Sequence, residues 1–239
     1  MDVSVVVPAY NEERRLPGTA RAWIAFFEGQ PFAWEVLVVD DGSRDGTAAV
    51  AEQIAASCAS VQVLRQGRNR GKGAAVRAGM LAASGTYVFH VDADLNVTPD
   101  HLPRFVQALR RGADIAIGTR NARRYVATER SGTRVLAGLL IQVLRRALLL
   151  PTIRDTRCGF KGFTREAAQA VFSRATVNGF AFDIEALFIA RRLGHRVREI
   201  PVEIEFRPGS TYSLRRHLWP FVQDITRIKR RDMRGLYRT

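Results

Sequence analysis

Asp92-Ala93-Asp94 sets two carboxylates one residue apart, directly after the apolar run from Tyr87 to Val91. On a bending segment such a pair turns towards one oxygen-seeking cation. Mg²⁺ or Mn²⁺ held this way keeps open positions for phosphate oxygens. A second acidic cluster, Asp40-Asp41-Gly42-Ser43-Arg44-Asp45-Gly46-Thr47, follows Val36-Leu37-Val38-Val39. Both clusters also have plainer readings. The second reads as a turn with a helix N-cap, and Asp92 and Asp94 as a turn before Thr98-Pro99, a cap followed by a proline in the first helical position. Gly67-Arg68-Asn69-Arg70-Gly71-Lys72-Gly73 looks at first like a phosphate loop. Three residues separate its glycines where four are needed, and Gly73 replaces the required Ser or Thr, which disfavours a P-loop kinase or ATPase.

The elements that position these loops follow from hydrophobic periodicity. Val3–Val7, Val36–Val39, Val61–Leu64, Tyr87–Val91 and Ala113–Ile117 read as strands. Between them, residues 12–28 carry Leu16, Ala20, Trp23, Ile24 and Phe27 at helical spacing, and Thr47–Ala56, a segment ending at Ala83 and a segment near 99–111 also read as helices. Continuously apolar strands alternating with helices predict an α/β fold with a mostly parallel sheet covered on both faces. Ligands in such sheets bind beyond the carboxyl ends of the strands. Those ends carry Pro8-Ala9-Tyr10-Asn11-Glu12, Asp40-Asp41, Asp92-Ala93-Asp94 and Gly118-Thr119-Arg120, so separate polar loops converge on one rim.

The 239 residues fit one large domain, or one domain with a small appendage, and 46% apolar with 25% charged residues is an ordinary globular balance. No apolar run reaches the roughly 18 residues of a membrane span, and the N-terminus lacks the basic region of a secretory signal. Cys58 and Cys158 make no disulfide framework, and four scattered histidines give no zinc spacing. A reducing compartment is the expectation. Charge is distributed unevenly. Residues 1–96 hold 9 Lys+Arg against 11 Asp+Glu, a net of −2, whereas residues 97–239 hold 28 against 12, a net of +16. The second half therefore faces something anionic: nucleic acid, lipid headgroups or a phosphorylated substrate. Arg supplies 34 of the 37 basic residues, and its planar fork suits phosphate.

Taken together, Pro8-Ala9-Tyr10-Asn11-Glu12, Val38-Val39-Asp40-Asp41-Gly42-Ser43-x-Asp45-Gly46-Thr47, Asn69-Arg70-Gly71-Lys72-Gly73-Ala74-Ala75-Val76-Arg77 and Asp92-Ala93-Asp94 resemble the family 2 inverting glycosyltransferases of GT-A fold. Asp155-Thr156-Arg157-Cys158-Gly159-Phe160-Lys161, Phe182-Asp183-Ile184-Glu185 and Glu199-Ile200-Pro201-Val202 resemble the dolichyl-phosphate glucosyltransferase branch, close to the dolichyl-phosphate mannose synthases. The resemblance runs in order over about residues 3–211.

It implies a site, position by position. Pro8, Tyr10 and Glu12 would hold the base and ribose of a UDP- or GDP-hexose, with Val39 and Asp41 at the base. Lys72, Asp92 and Ala93 would line the donor, and Asp94 would ligate a divalent cation, with Asp92 and Asn96 in the same ligand set. Asn96 stands where the mannose synthases carry a Gln, one methylene longer. Arg120 would contact phosphate, and Arg130 or Arg134 the lipid phosphate. Arg207, Gly209 and Ser210 resemble a flexible loop over the donor, but Thr211 replaces its Lys, leaving Arg207, Arg215 or Arg216 as candidates for the second phosphate clamp. Cation and arginine would neutralise charge on the departing diphosphate. A polyprenyl phosphate acceptor is already largely ionised at neutral pH, so a strong base is not required. Asp183 and Glu185 are candidates for base or for orienting the acceptor, and they also fit the first turn of a packed helix.

Two segments offer a route to lipid. In residues 134–150, Arg134, Gly138, Gln142, Arg145 and Arg146 share a stripe and leucines cover the rest, which fits an interfacial helix or a core-facing one. After a domain of residues 1–211, the stretch 212–239 sets Leu214, Leu218, Phe221, Val222, Ile225 and Ile228 on one face among arginines, an amphipathic segment drawn to an anionic membrane surface. The expected enzyme is thus a metal-dependent, inverting hexosyltransferase, glucose being the favoured sugar, working peripherally at the cytoplasmic face. A mannose donor, a soluble acceptor and nucleotidyl transfer are the alternatives within enzymes. A basic nucleic-acid-binding module is the alternative outside them. It is disfavoured because no base-reading signature is present and the strand ends gather carboxylates.

Overall fold

The computed structural model describes residues 1–120, 150, 153–156, 158–203 and 214–238, without the side chains of 214–219. Its order is β1 (Val3–Ala9), α1 (Leu16–Glu28), β2 (Trp34–Asp40), α2 (Thr47–Ser57), β3 (Val61–Arg65), α3 (Lys72–Ala82), β4 (Tyr87–Val91), a 3₁₀ turn (Pro99–His101), α4 (Leu102–Arg110), β5 (Ile115–Arg120), β6 (Phe160–Thr164), α5 (Arg165–Phe172), α6 (Phe182–Arg192), β7 (Val197–Val202) and α7 (Leu214–Met233). The strands form one sheet in the order β3-β2-β1-β4-β6-β5-β7. All neighbours are parallel except β6, which runs antiparallel to both β4 and β5. The expected α/β fold with a mostly parallel sheet is what the chain adopts.

Alternation of side chains across the pleat gives the sheet two cores. Val5 and Val7 of β1 pack on the face covered by Trp23 and Phe27 of α1 and Phe105 of α4. Val6 packs on the other, with Ala75 and Met80 of α3, Phe172 of α5 and Leu187 of α6. Every residue of β1 is buried, which explains why its sequence is not an alternating one; its one polar side chain, Ser4, donates to Glu35 Oε1 at 2.5 Å. The apolar side of α7 belongs to this second core: Phe221, Ile225 and Ile228 are 7%, 4% and 0% exposed. These positions, read from the sequence as one face of an amphipathic segment, pack into the protein's own interior.

The reversal of β6 matters for the site. The carboxyl ends of β1, β2, β4 and β5 lie along one edge, and the antiparallel strand brings its amino end there, pairing Phe160 with Val91. Cys158-Gly159 therefore runs beside Asp92, and the amide of Asp92 donates to the Gly159 carbonyl at 3.1 Å. The first helix starts at Leu16, later than its periodicity suggests, because residues 11–13 are tied to the loop after β2. Asn11 adopts a left-handed φ of 55°, its amide donates to Ser43 Oγ (3.0 Å), and the Glu12 amide donates to Thr47 Oγ1 (2.7 Å).

Candidate active site

The loops after β1 and β2 form one stitched rim. Besides the bonds above, the Arg44 amide donates to Asn11 Oδ1 (2.9 Å) and the Gly46 amide to Glu13 Oε2 (2.6 Å). Asp41, 2% exposed, sits beneath the next loop and accepts from the amides of Arg70 (2.8 Å) and Gly71 (2.9 Å). Burial still pushes its carboxyl above the usual range. Gly42 permits this arrangement: its φ is +69°, and a Cβ there would lie 2.3 Å from the backbone of Arg68. Tyr10, 38% exposed, stands on the rim. Pro8 and Val39 are cross-strand partners with buried side chains, so they shape the rim from below.

Beyond β4 lies the acidic centre. Thr19 of α1 pins it by donating to the Ala93 carbonyl at 2.6 Å. Leu95 takes a left-handed φ of 52°, a costly conformation for a branched side chain. The kink folds Asn96 back onto Asp94. Asn96 N donates to Oδ1 (3.2 Å) and Asn96 Nδ2 to Oδ2 (2.5 Å). Burial, reinforced by the charge of Asp92, raises the Asp94 carboxyl. Asn96 Oδ1 is buried without a hydrogen-bond partner. An amide oxygen lacking a donor, beside a carboxylate that its neighbours compensate only in part, fits a hard divalent cation. Among the described residues no three His, Cys, Asp or Glu side chains cluster as a metal cage. The donor set is therefore sparse, as expected of a cation that also binds substrate oxygens.

Asp92 is differently placed. Lys72 Nζ lies 2.5 Å from Asp92 Oδ1. Burial works against the ionised form, but Lys72 and His90 together outweigh it and hold the carboxyl below its usual value. The other oxygen lies over Gly159, where a Cβ would come within 1.9 Å of it. Beneath this pair is a buried floor. Lys161 of β6, 1% exposed, places Nζ 2.6 Å from Asp183 Oδ1 and donates to the Cys158 carbonyl at 2.5 Å. His90 Nε2 is 3.3 Å from the same Asp183 oxygen. Burial opposes ionisation of Asp183 too, yet Lys161, the His90 hydrogen bond and Lys72 together outweigh it and the pKa falls to about 2. A carboxylate held so low is a poor proton acceptor at neutral pH.

Glu185 does not join Asp183. Positions two apart on a helix do not face one another, and Glu185 is wholly buried. Its Oε1 accepts from Thr176 Oγ1 (2.9 Å) and Tyr237 Oη (2.6 Å), its Oε2 from the amides of Thr176 (2.8 Å) and Val177 (2.7 Å). Of the readings offered for Glu185 (base, acceptor-orienting group or first turn of a packed helix), the geometry fits the last: with both oxygens saturated, it ties the 176–177 turn to the C-terminal segment. At the end of β5, Arg120 makes a forked contact with Asp155, Nε to Oδ2 (2.5 Å) and Nη2 to Oδ1 (2.9 Å). Glu199 of β7 holds that loop by accepting from the Arg154 amide (2.9 Å).

Comparison with known proteins decides what kind of site this is. Residues 4–172 match the family model "Glycosyl transferase family 2". The chain is a family 2 glycosyltransferase. It is 37% identical over a 256-residue alignment to the dolichyl-phosphate beta-glucosyltransferase of Drosophila melanogaster, covering 100% of this chain and 77% of that one. Against the human dolichyl-phosphate beta-glucosyltransferase the identity is 36%, with 99% and 77% covered. Among solved structures, the mannosyl-3-phosphoglycerate synthase of Rubrobacter xylanophilus superposes with a TM-score of 0.72 at 22% identity, covering 98% of this chain and 75% of that one. The glucosyl-3-phosphoglycerate synthase of Mycobacterium tuberculosis, in complex with Mn²⁺, UDP-glucose and phosphoglyceric acid, gives 0.73 at 22%, covering 95% and 79%. These neighbours share the fold.

In this glycosyltransferase the structure brings together Glu12, Asp41, Lys72, Asp92, Ala93, Asp94 and Asn96 along one sheet edge, with Arg120 at the end of β5. Arg130, Arg134, Arg207, Gly209, Ser210 and nearly all of the 134–150 helix lie outside the described residues, as do the side chains of Arg215 and Arg216. Sequence reasoning gave no role to His90, Lys161, Asp155 or Glu199. Two of them had a signal. His90 interrupts Tyr87-Val88-Phe89-His90-Val91, and Lys161 interrupts Phe160-Lys161-Gly162-Phe163. A polar residue inside a buried strand needs a partner, and these two are cross-strand neighbours that share Asp183.

Proposed function

We propose that this enzyme transfers glucose, with inversion, from a nucleotide-glucose to a dolichyl- or polyprenyl-phosphate. The observation that carries the reading is the state of the carboxylates. Asp183 is locked in an ion pair and Glu185 is saturated, so neither is poised to take a proton, which suits an acceptor oxygen that arrives already ionised. The near full-length likeness to dolichyl-phosphate beta-glucosyltransferases supports the same acceptor class and the same sugar.

Asp94 and Asn96, with Asp92, would hold a divalent cation, whose charge would offset that developing on the diphosphate leaving group. The chain's own residues do the rest. The rim built on Asn11, Ser43 and Asp41 fixes the base-side pocket, and Lys72 holds the Asp92 carboxylate in position through their ion pair. The acceptor phosphate oxygen attacks the sugar C1 from the side opposite the diphosphate. The C1–O bond breaks as the new one forms, giving a β-linked lipid phosphosugar from an α-linked donor and releasing nucleoside diphosphate.

No helix among the described residues is long and apolar enough to cross a membrane. The proposed reading places the enzyme at the cytoplasmic surface of the bilayer that holds its acceptor. UDP-glucose and GDP-mannose should be compared with a short polyprenyl phosphate, with and without Mg²⁺ or Mn²⁺, and products identified by mass spectrometry. Metal-dependent formation of glucosyl-phosphoprenol with release of UDP is expected. Transfer only to a soluble hydroxyl acceptor, or release of nucleoside monophosphate, would overturn the proposal.

A further inference from the structure

The two sides of α7 are chemically opposite. Phe221, Ile225, Ile228 and Asp232 are buried. Asp232 pairs with Arg192 of α6 at 2.5 Å, and Arg231 lies over the ring of Tyr237, 5.5 Å from its centroid. The other acidic residue of this helix, Asp224, is half-buried. Arg227, Arg230 and Arg234 are exposed at spacings of three and four, and Arg238 follows them. Spacing of that kind puts them on one stripe. The acids therefore face inward and the arginines outward. Among these arginines stand two apolar side chains with no interior to fill: Met233 is 71% exposed and Leu236 44%.

We propose that this stripe is the surface by which the enzyme docks on an anionic lipid bilayer, the arginines meeting headgroup phosphates and Met233 and Leu236 entering the interface. Positive charge alone would also suit RNA. Sequence-tolerant binding of single strands uses exposed aromatic rings as stacking platforms, whereas the aromatic side chains described beside this stripe, Phe221 and Tyr237, are buried. Flexible aliphatic side chains beside arginine are suited to the boundary between headgroup and acyl chain. The assignment differs from an amphipathic helix lying on its apolar face, because that face is already committed to the protein core. Its biological sense rests on the lipid-linked acceptor proposed above; its test does not.

The test is co-sedimentation of the full chain with vesicles of phosphatidylcholine alone or mixed with phosphatidylglycerol, without donor or metal. Binding is expected only to the mixed vesicles. It should weaken as the Debye length falls from ~10 Å at 0.1 M salt to ~3 Å at 1 M. Each arginine is worth about five-fold in partitioning, so R227Q/R230Q/R234Q should bind about 100-fold more weakly. M233S/L236S should weaken binding at both salt concentrations, which a purely ionic contact would not show. Both variants should keep wild-type circular dichroism and wild-type turnover of a water-soluble short-chain acceptor. That turnover separates failure of this surface from failure of the proposed reaction. Undiminished pelleting of the triple variant, equal pelleting with neutral vesicles, or binding of a single-stranded RNA oligomer but not of vesicles would overturn the proposal.

Discussion

Replacing Lys161 by Met tests whether the buried floor is an ion pair that the fold depends on. The Lys161 side chain is 1% exposed and that of Asp183 10%, with 2.6 Å between the charged atoms. Removing one partner of such a pair leaves an uncompensated buried charge and costs about 3–5 kcal/mol, whereas replacing both can be close to neutral. The variant K161M/D183L should therefore be more stable than K161M, although His90 then loses its Nε2 partner, a penalty of about 1–3 kcal/mol. The pH dependence supplies a second, sign-specific check. In the wild type the Asp183 pKa is depressed to about 2, so its contribution is present above the ordinary carboxylate range and lost as pH falls through about 2. Without Lys161, burial dominates and raises that pKa. K161M should then recover relative to the wild type as pH is lowered from neutral towards 5, since the buried acid can take up a proton. Urea unfolding of wild type, K161M and K161M/D183L at both pH values measures this. A loss below about 1 kcal/mol in K161M, with no difference between the two pH values, would show that the pair does not carry the stability assigned to it.

Other perturbations separate the chemistry of the site from its scaffold. Asp94→Ala should abolish metal-dependent turnover and leave the melting temperature unchanged or raised, because the site disfavours that charge; Mn²⁺ titration and thermal unfolding check both halves. Glu185→Ala should cost about 3 kcal/mol or more by orphaning buried donors, while kcat of the folded enzyme stays within about two-fold, read by chemical denaturation and steady-state kinetics. Gly159→Ala should push the Asp92 carboxylate off its position, lowering kcat/KM at least about ten-fold with little loss of thermal stability.

The fold was legible because its signal is strong and local. Val3–Val7 and Val36–Val39 are too uniformly apolar for surface strands, and the polar loops that follow them sit where a parallel sheet gathers its ligands. The start of α1 was not legible, since residues 12–15 have no helix-breaking residue. What delays the helix is a set of bonds to Ser43 and Thr47, more than thirty residues away in the chain. The amphipathic reading of α7 did not say what Phe221, Ile225 and Ile228 would pack against, because period alone does not say which surface an apolar stripe meets. Asp183 and Glu185 look equivalent in sequence and diverge in structure. One meets Lys161 across the sheet, and the other meets Tyr237, fifty-two residues further along.

The charges beneath the rim explain why, in the proposed function, Asp94 in particular would take the cation. Lys161 and Asp183 neutralise each other, and Lys72 and Asp92 do the same one layer above. Burial and the nearby lysine keep His90 below its ordinary pKa, so it adds little positive charge at neutral pH. Glu12 at the rim pairs with Arg15 at 2.6 Å. Asp94 is only partly compensated: it accepts hydrogen bonds only from Asn96 among the described residues, and burial and the charge of Asp92 outweigh what Asn96, Lys72 and Arg15 return. In the proposed function a divalent cation would supply the remaining positive charge, and the orphaned Asn96 oxygen marks the side from which it would be received.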